Sequence, residues 1–502
     1  MLAKVTGKIA SALNTDPLAG YELGVRKFRG GRHNLVHIQD AVEISSNRPV
    51  SVVSIEVKDV VARCASAEES QLVLDSFKAG VTLLTKLRHP AILQVVKPLV
   101  EGKTRRRFVT ERISSLVSLE LSCGSLSKQE KILGLLNCSK AIEFMHQSVG
   151  YLLLDFSPSA ICIVEGKWKI FDLSQAVSIE RADDIKCGCP LTSIAAPMLD
   201  YCSTEVVDAL SPKQMEIDDL FVTGGNKSVK APDSDVFSFV IVCAEVLSGR
   251  KAFNCGNDAT LRQRQYLSVE LEVSKWFSGR PLSSPRPSLS ALRKDTCFVS
   301  SDVLLLTTLE EYDLLTDEQR FSTLKGIYDG LGRSAFDEAV IVRLIIPLMC
   351  REAMQESRRR YAVPILMQCC GCLSEQTFAG FLREYIIGLL RAVIAADNLS
   401  RCLDVAEVVL GKFDLLSKHF RTDDERNTIL LPFLERCVDP AVDGTNVVRM
   451  AVDCISQFTQ SYGNLRFSDG LPSRLIKIAS SCKKKHDFFV SLLGVRAQVC
   501  LS

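Results

Sequence analysis

A chain of 502 residues exceeds one ordinary hydrophobic core and predicts more than one domain. Its 61 basic residues against 59 acidic ones leave a formal charge of +2, which excludes a global field for nucleic acid or an anionic membrane. With 47% hydrophobic and 24% charged residues it has a soluble globular composition, and no apolar stretch reaches the ~20 residues that span a bilayer.

In chain order, Val52 to Val57 is a β-branched run that predicts a strand. Leu72, Leu74, Phe77, Val81, Leu84 and Leu87 recur at helical spacing. Arg107 to Glu111 reads as a strand and Ile132 to His146 as a long buried helix. Ala160 to Val164 and Lys167 to Phe171 flank Glu165-Gly166, a turn pair, and predict a hairpin. Val236 to Leu247 is nearly all apolar and predicts a central helix. From about Ser301 onward the pattern is amphipathic helix. Ile346-Pro347-Leu348 and Leu431-Pro432-Phe433 look alike and lie 85 positions apart, with Phe381 to Leu390 midway. That spacing equals two units of ~42 residues, inside the HEAT/armadillo range, and predicts a stacked helical array.

Six landmarks in the first half resemble those of a protein kinase, in kinase order. Leu87 to Leu93 (LRHPAIL) resembles the segment after the kinase αC helix. Phe108 to Glu111 resembles the strand entering the hinge, and Phe144-Met145-His146 the helix end before the catalytic loop. Trp168 to Asp172 resembles the strand into D-F-G, Asp233 to Ser238 the start of αF, and Pro285 to Ser288 the end of the domain. The expectation is a bilobal α+β kinase-like domain over residues 21–298, after an extension at 1–20. An all-α HEAT/armadillo-like region follows over 299–502.

Phosphoryl transfer rests on positioning and charge neutralisation, so each kinase residue has a separable task. Gly30 and Gly31 remain of the Gly-rich loop, amid Arg29 and Arg32, which are expected in a solvated loop, with anion binding as their other reading. Aligned by resemblance to V-A-I-K, Val53-Ser54-Ile55-Glu56 puts Glu56 in the place of the phosphate-binding lysine, a reversal of sign. A register shift would bring Lys58 there instead. The αC glutamate becomes Gly80. The catalytic loop reads Leu153 to Ala160: Asp155 keeps the base position, Ser157 replaces a basic residue and Ala160 replaces the metal-binding asparagine. D-F-G reads Asp172-Leu173-Ser174. Asp155 and Asp172 are therefore vestigial, read as turn-capping acids. No catalytic, cofactor or metal site is expected, and ATP and Mg²⁺ binding should be weak or absent. Fold residues survive better: Glu205 is expected to pair with Arg286, and Asp235 to accept backbone hydrogen bonds.

One family joins a degenerate kinase domain to HEAT-like repeats, the Scy-like pseudokinases. Asp75 to Val81 through Leu87 to Pro90, Trp168-Lys169-Ile170, Lys412 to Leu416 and Ile429 to Pro432 resemble it, as do Lys4 to Thr6 and Tyr21 to Gly24. The resemblance is closest to the clathrin-associated branch. It implies a non-catalytic adaptor in vesicle traffic, cytoplasmic and peripheral to Golgi and endosomal membranes. The partners implied are coat or adaptor proteins bound through the repeats, with no nucleic acid. That branch carries a long tail with coat-binding motifs, whereas this sequence stops at Ser502. The alternative is an atypical ATP-dependent kinase using Asp155 and Asp172.

Nineteen cysteines scattered among core-like stretches, and a start lacking a long apolar run, predict a reduced cytosolic protein. Cys187-Gly188-Cys189 and Cys369-Cys370-Gly371-Cys372 lack partners at zinc-ligand spacing and are expected to be inert. Lys483 to His486 reads as a solvated helix end, with acidic lipid as its other reading.

Overall fold

The computed structural model describes residues 18–180, 193–210 and 232–481, apart from positions 257, 280, 284, 397–398, 439–444, 463–464 and 469. The expected extension at 1–20, Cys187-Gly188-Cys189 and Lys483 to His486 thus fall wholly or mostly outside the described residues. The chain divides into two compact units, one up to Val303 and one from Leu304.

The first unit opens with a five-stranded antiparallel sheet of order β1-β2-β3-β5-β4: β1 Tyr21–Gly30, β2 Val36–Glu43, β3 Arg48–Glu56, β4 Val95–Glu101 and β5 Arg105–Glu111. Between β3 and β4 run the short helix α1 (Val57–Val61) and the long α2 (Ala67–Lys86). Ser66 caps α2 by accepting from Glu69 N–H, and its apolar stripe of Val73, Phe77, Val81 and Leu84 is buried. Phe77 meets Phe108 of β5 with ring centroids 6.0 Å apart.

Mostly helical structure follows. Strand β6 (Ser115–Leu116) leads into α3 (Val117–Cys123) and α4 (Lys128–Phe144), the last started by a capping box of Ser127 and Glu130. A π-turn, Met145–Val149, ends α4 and precedes β7 (Tyr151–Leu152). The predicted hairpin is present as β8 (Ile161–Val164) and β9 (Lys167–Ile170), with β10 (Val177–Ser178) pairing back to β7. Its turn holds Glu165 at φ 49° and Gly166 at φ 80°, the paired left-handed conformation of a type I′ turn. Helices α5 (Thr204–Leu210), α6 (Asp233–Ser248), α7 (Ala259–Val273) and α8 (Leu289–Leu292) complete the unit. The apolar run of α6 is the buried axis: twelve of its residues are buried, and Phe237 and Phe239 are fully so.

Among the described residues the second unit holds helices and no strand. Helices α9 (Asp317–Gly332), α10 (Ile346–Ala353), α11 (Glu356–Cys370), α12 (Glu375–Phe381), α13 (Arg383–Ala395), α14 (Leu403–Leu410), α15 (Leu431–Cys437), α16 (Thr445–Ser461) and α17 (Leu471–Ser481) form its body. In one layer α9, α11, α14 and α16 pack side by side in turn; α10 packs on α11, α15 on α16, and α13 on α15. This is the layering of a helical repeat array, and with the sheet-rich lobe before it the fold is a kinase-like domain followed by helical repeats. The two similar tripeptides occupy equivalent places. Each proline sits in the first turn of its helix, directly after a π-turn, Ile341–Ile345 in one case and Arg426–Leu430 in the other. No helix of the described residues is long and apolar enough to cross a membrane.

Candidate functional site

The residues singled out by the kinase resemblance fall into two groups. One is a set of buried acids under the Gly-rich segment. The other is a structural frame behind them.

The frame is built around α6. Asp235, fully buried, accepts from Leu153 N–H at 2.7 Å and Leu154 N–H at 2.8 Å, and His146 Nε2 lies 2.8 Å away. Leu154 has φ 60°, a left-handed conformation that costs a leucine ~1–3 kcal/mol, and Asp235 holds it there. Arg286 Nη2 donates to both carboxylate oxygens of Glu205, at 3.0 and 3.2 Å, with Nε on Leu282 O and Nη1 on Asp233 O. Removing either partner of such a buried pair leaves an uncompensated charge.

The acids sit where the frame meets the sheet. Asp172 Oδ1 accepts from Ser174 N–H at 3.1 Å, the expected turn cap, and Oδ2 accepts from Arg32 N–H at 3.0 Å. Asp155 is buried; Arg32 Nη1 stands 3.6 Å from Oδ2, and the Met198 backbone also faces the carboxylate. Burial pushes the Asp155 carboxyl up to about 7, against the pull of Arg32 and with the push of Asp172. Ser157 is buried with its hydroxyl 2.9 Å from that of Ser159, and Ala160 opens the β8 hairpin with no ligand atom.

Three expectations are corrected here. Glu56 is not beside the acids: it ends β3 and pairs with Arg105 Nε at 2.6 Å. The β3 residue that faces Asp172 is Val53, which lines a cavity of about 10 Å³ with Phe77, Gly80, Phe108 and Ser174. Lys58 does not shift into that place either, because β3 has ended and Lys58 stands exposed on α1. Arg32 is not in a solvated loop: it is buried against Asp155 and donates to Ala196 O at 2.8 Å.

Gly80 sits on α2 with the Leu173–Ser174 backbone against it. A Cβ there would lie 2.8 Å from Leu173 C and Ser174 N, so only glycine admits this approach. Gly30 ends β1 against the Leu116 side chain. Gly31, at φ 65°, donates to Ser159 O at 3.2 Å, and a Cβ on it would come 2.6 Å from Val36 Cγ2. The Gly-rich segment therefore lies directly on the catalytic-loop equivalent.

Two contacts had no sequence signal. Glu69 of α2 accepts from Ser193 Oγ and from Ile194 N–H at 3.1 Å, and the Ser193 bond above all holds its carboxyl below the usual range. Ser51 Oγ accepts from Ile113 N–H at 2.9 Å, so that buried donor, in the connection after β5, is satisfied internally. Among the described residues no group of three or more His, Cys, Asp or Glu has metal-site geometry. Cys369 and Cys370 are buried, and burial pushes the Cys370 thiol up to about 12.

No family model matches the chain. It is 23% identical over 427 residues to the protein kinase domain-containing protein ppk32 of Schizosaccharomyces pombe, covering 75% of this chain and 53% of that protein. It is 23% identical over 474 residues to SCY1-like protein 2 of Mus musculus and of Homo sapiens, covering 87% of this chain and 48% of each. Against the protein kinase-like protein SCY1 of Saccharomyces cerevisiae it is 33% identical over 307 residues, covering 53% and 35%. These relatives support a Scy1-like, kinase-like family. The chain spans about half the length of the first three, and the match to SCY1-like protein 2 takes in most of both units. In this chain Val53 of β3 and Gly80 of α2 line one cavity together with Asp172.

Proposed function

We propose that this chain is a catalytically inactive kinase-like scaffold that serves vesicle traffic, binding coat or adaptor proteins through its helical repeats. The observation that carries the loss of catalysis is the cavity between β3 and α2. Val53 faces Gly80 there, and the Leu173–Ser174 backbone fills the space against the glycine. Phosphoryl transfer needs a lysine on the phosphates, oriented by a glutamate, and two ligand groups on the metal ions. The chain offers neither member of the ion pair and has Ala160 in place of one metal ligand. The trafficking role, the clathrin-associated branch and the Golgi or endosomal address rest on the resemblance to Scy-like pseudokinases. The layered helical array supports the binding part of this reading, since such arrays present a long surface for proteins.

The alternative of an atypical kinase has one observation in its favour. The Asp155 carboxyl lies near 7, the range of a general base. Two measurements separate the readings. The full chain, incubated with radiolabelled Mg-ATP and generic protein substrates, should transfer no label above an Asp155→Asn, Asp172→Asn control. Proximity labelling in cells should enrich vesicle coat and adaptor proteins equally for the wild type and that control. Label transfer lost in the control would establish the kinase instead.

A further inference from the structure

Arg32 follows the Gly-rich segment, in a short turn (Arg32–Asn34), and is only 7% exposed. Its guanidinium donates to Ala196 O at 2.8 Å and to Ala195 O at 3.4 Å, beside Asp155. The Gln175 amide, turned with its oxygen toward Arg32, accepts at 2.7 and 2.9 Å. Its backbone N–H is on Asp172. One residue therefore joins the Gly-rich segment to both acids and to the segment at 193–196. Glu69 ties that segment to α2 in turn, through Ser193 and Ile194.

A buried arginine this committed is costly to desolvate unless its partners are fixed. Here they are: two backbone carbonyls, an amide and the buried Asp155 carboxylate. Gly31 allows the approach by its positive φ, bringing its α-carbon beside Asp172. We infer that Arg32 is a built-in cation latch: its guanidinium supplies the positive charge between the Gly-rich segment and the acids, and holds that segment closed on the 193–196 segment. The cleft is then neutralised and shut by the chain itself. This goes beyond the scaffold reading, since it concerns how the cleft is held and not whom the repeats bind.

The test uses the purified full chain at pH 8, with Arg32→Ala, Arg32→Lys, Asp155→Asn and the double variant Arg32→Ala, Asp155→Asn. Hydrogen exchange is followed over residues 29–36 and 193–198. Arg32→Ala should speed exchange in both segments by about ten- to a hundredfold, matching the ~1.5–3 kcal/mol that hydrogen bonds to a charged group contribute. Strands β3 and β5 should be unaffected. Arg32→Lys, which keeps the charge and loses the fork, should fall between. Arg32→Ala should lower the unfolding midpoint less in the Asp155→Asn background than in the wild type. Unchanged exchange in both segments, or midpoint losses that simply add, would overturn the latch. If Arg32→Ala does not fold, exchange in Arg32→Lys decides on the same segments. Neither readout involves phosphoryl transfer or partner capture, so the latch and the scaffold reading fail separately.

Discussion

Asp155 and His33 both feel the charge of Arg32, and their environments pull stability in opposite directions with pH. Burial raises the Asp155 carboxyl to about 7, with Arg32 and Asp172 facing it. Against an unfolded value of ~3.9, its neutral form contributes stability that is complete below about pH 4 and lost as pH rises through about 7. His33 is lowered to about 4 by burial first, then by Arg32 and Arg63, so its contribution grows as pH rises from about 4 to ~6.5. The two partly cancel in the wild type, and Asp155→Asn separates them. The melting midpoint of the wild type minus that of Asp155→Asn should fall between pH 5 and pH 8, and a difference constant over that range would refute the assignment. At the same scale, the proposed loss of catalysis predicts that Val53, Gly80 and Ala160, in place of a lysine, a glutamate and an asparagine, should hold Mg-ATP weakly. A ligand no more concentrated than its Kd adds at most ~0.4 kcal/mol, so millimolar Mg-ATP should move the midpoint by less than about 1 °C. A rise of several degrees, abolished by Asp172→Ala, would show a working site. The position of Val53 was not legible in the sequence. Val50, Val52, Val53 and Ile55 are all buried, on both faces of β3, and a strand buried on both faces shows no alternation to fix its register. Arg32 was missed because its partners lie 123 to 164 positions away and no local pattern encodes them.

At the scale of elements, α2 shows a local rule overridden by a tertiary one. Glycine in mid-helix costs ~1 kcal/mol against alanine, yet at position 80 a methyl group would press into the Leu173–Ser174 backbone. Overpacking of that kind costs ~1–3 kcal/mol and the obstacle is main chain, so Gly80→Ala should destabilise the first unit by ~1 kcal/mol net despite its better helix propensity. Urea unfolding measures this, and a stabilised variant would mean that α2 shifts freely. Elements with a repeated pattern were readable: α2, α4, α6 and the β8–β9 hairpin lie where apolar spacing and Glu165-Gly166 put them, within a few residues. The prolines at 347 and 432 marked the repeat correctly, but the π-turns before them carry no composition signal. Each π-turn ends with a backbone bond reaching five residues back, Ile346 N–H to Ile341 O and Leu431 N–H to Arg426 O. The next residue is the proline, which has no N–H with which to continue the ladder.

At the scale of the whole molecule, the two units carry different kinds of information. In the first, buried charges meet one another: Asp235 holds the Leu153–Leu154 backbone, Glu205 pairs with Arg286, and Arg32 lies against Asp155. The second unit spends its apolar residues between layers of helices and leaves the outer residues of each helix to solvent, as repeat arrays do when they bind proteins. Phe321, Met354 and Phe381 are large side chains left exposed there, at 53, 76 and 63%. If partner binding resides in this unit, removal of Leu304–Ser502 should abolish capture of coat and adaptor proteins. Asp155→Asn with Asp172→Asn should leave that capture within about twofold of wild type, since ~0.4 kcal/mol is the most that a remote change of this kind should transmit. The comparison is made at matched expression, with circular dichroism and a melting curve to show that each variant is folded. Capture retained by a folded first unit would place the binding surface there instead, and capture lost in the double-asparagine variant would return function to the cleft.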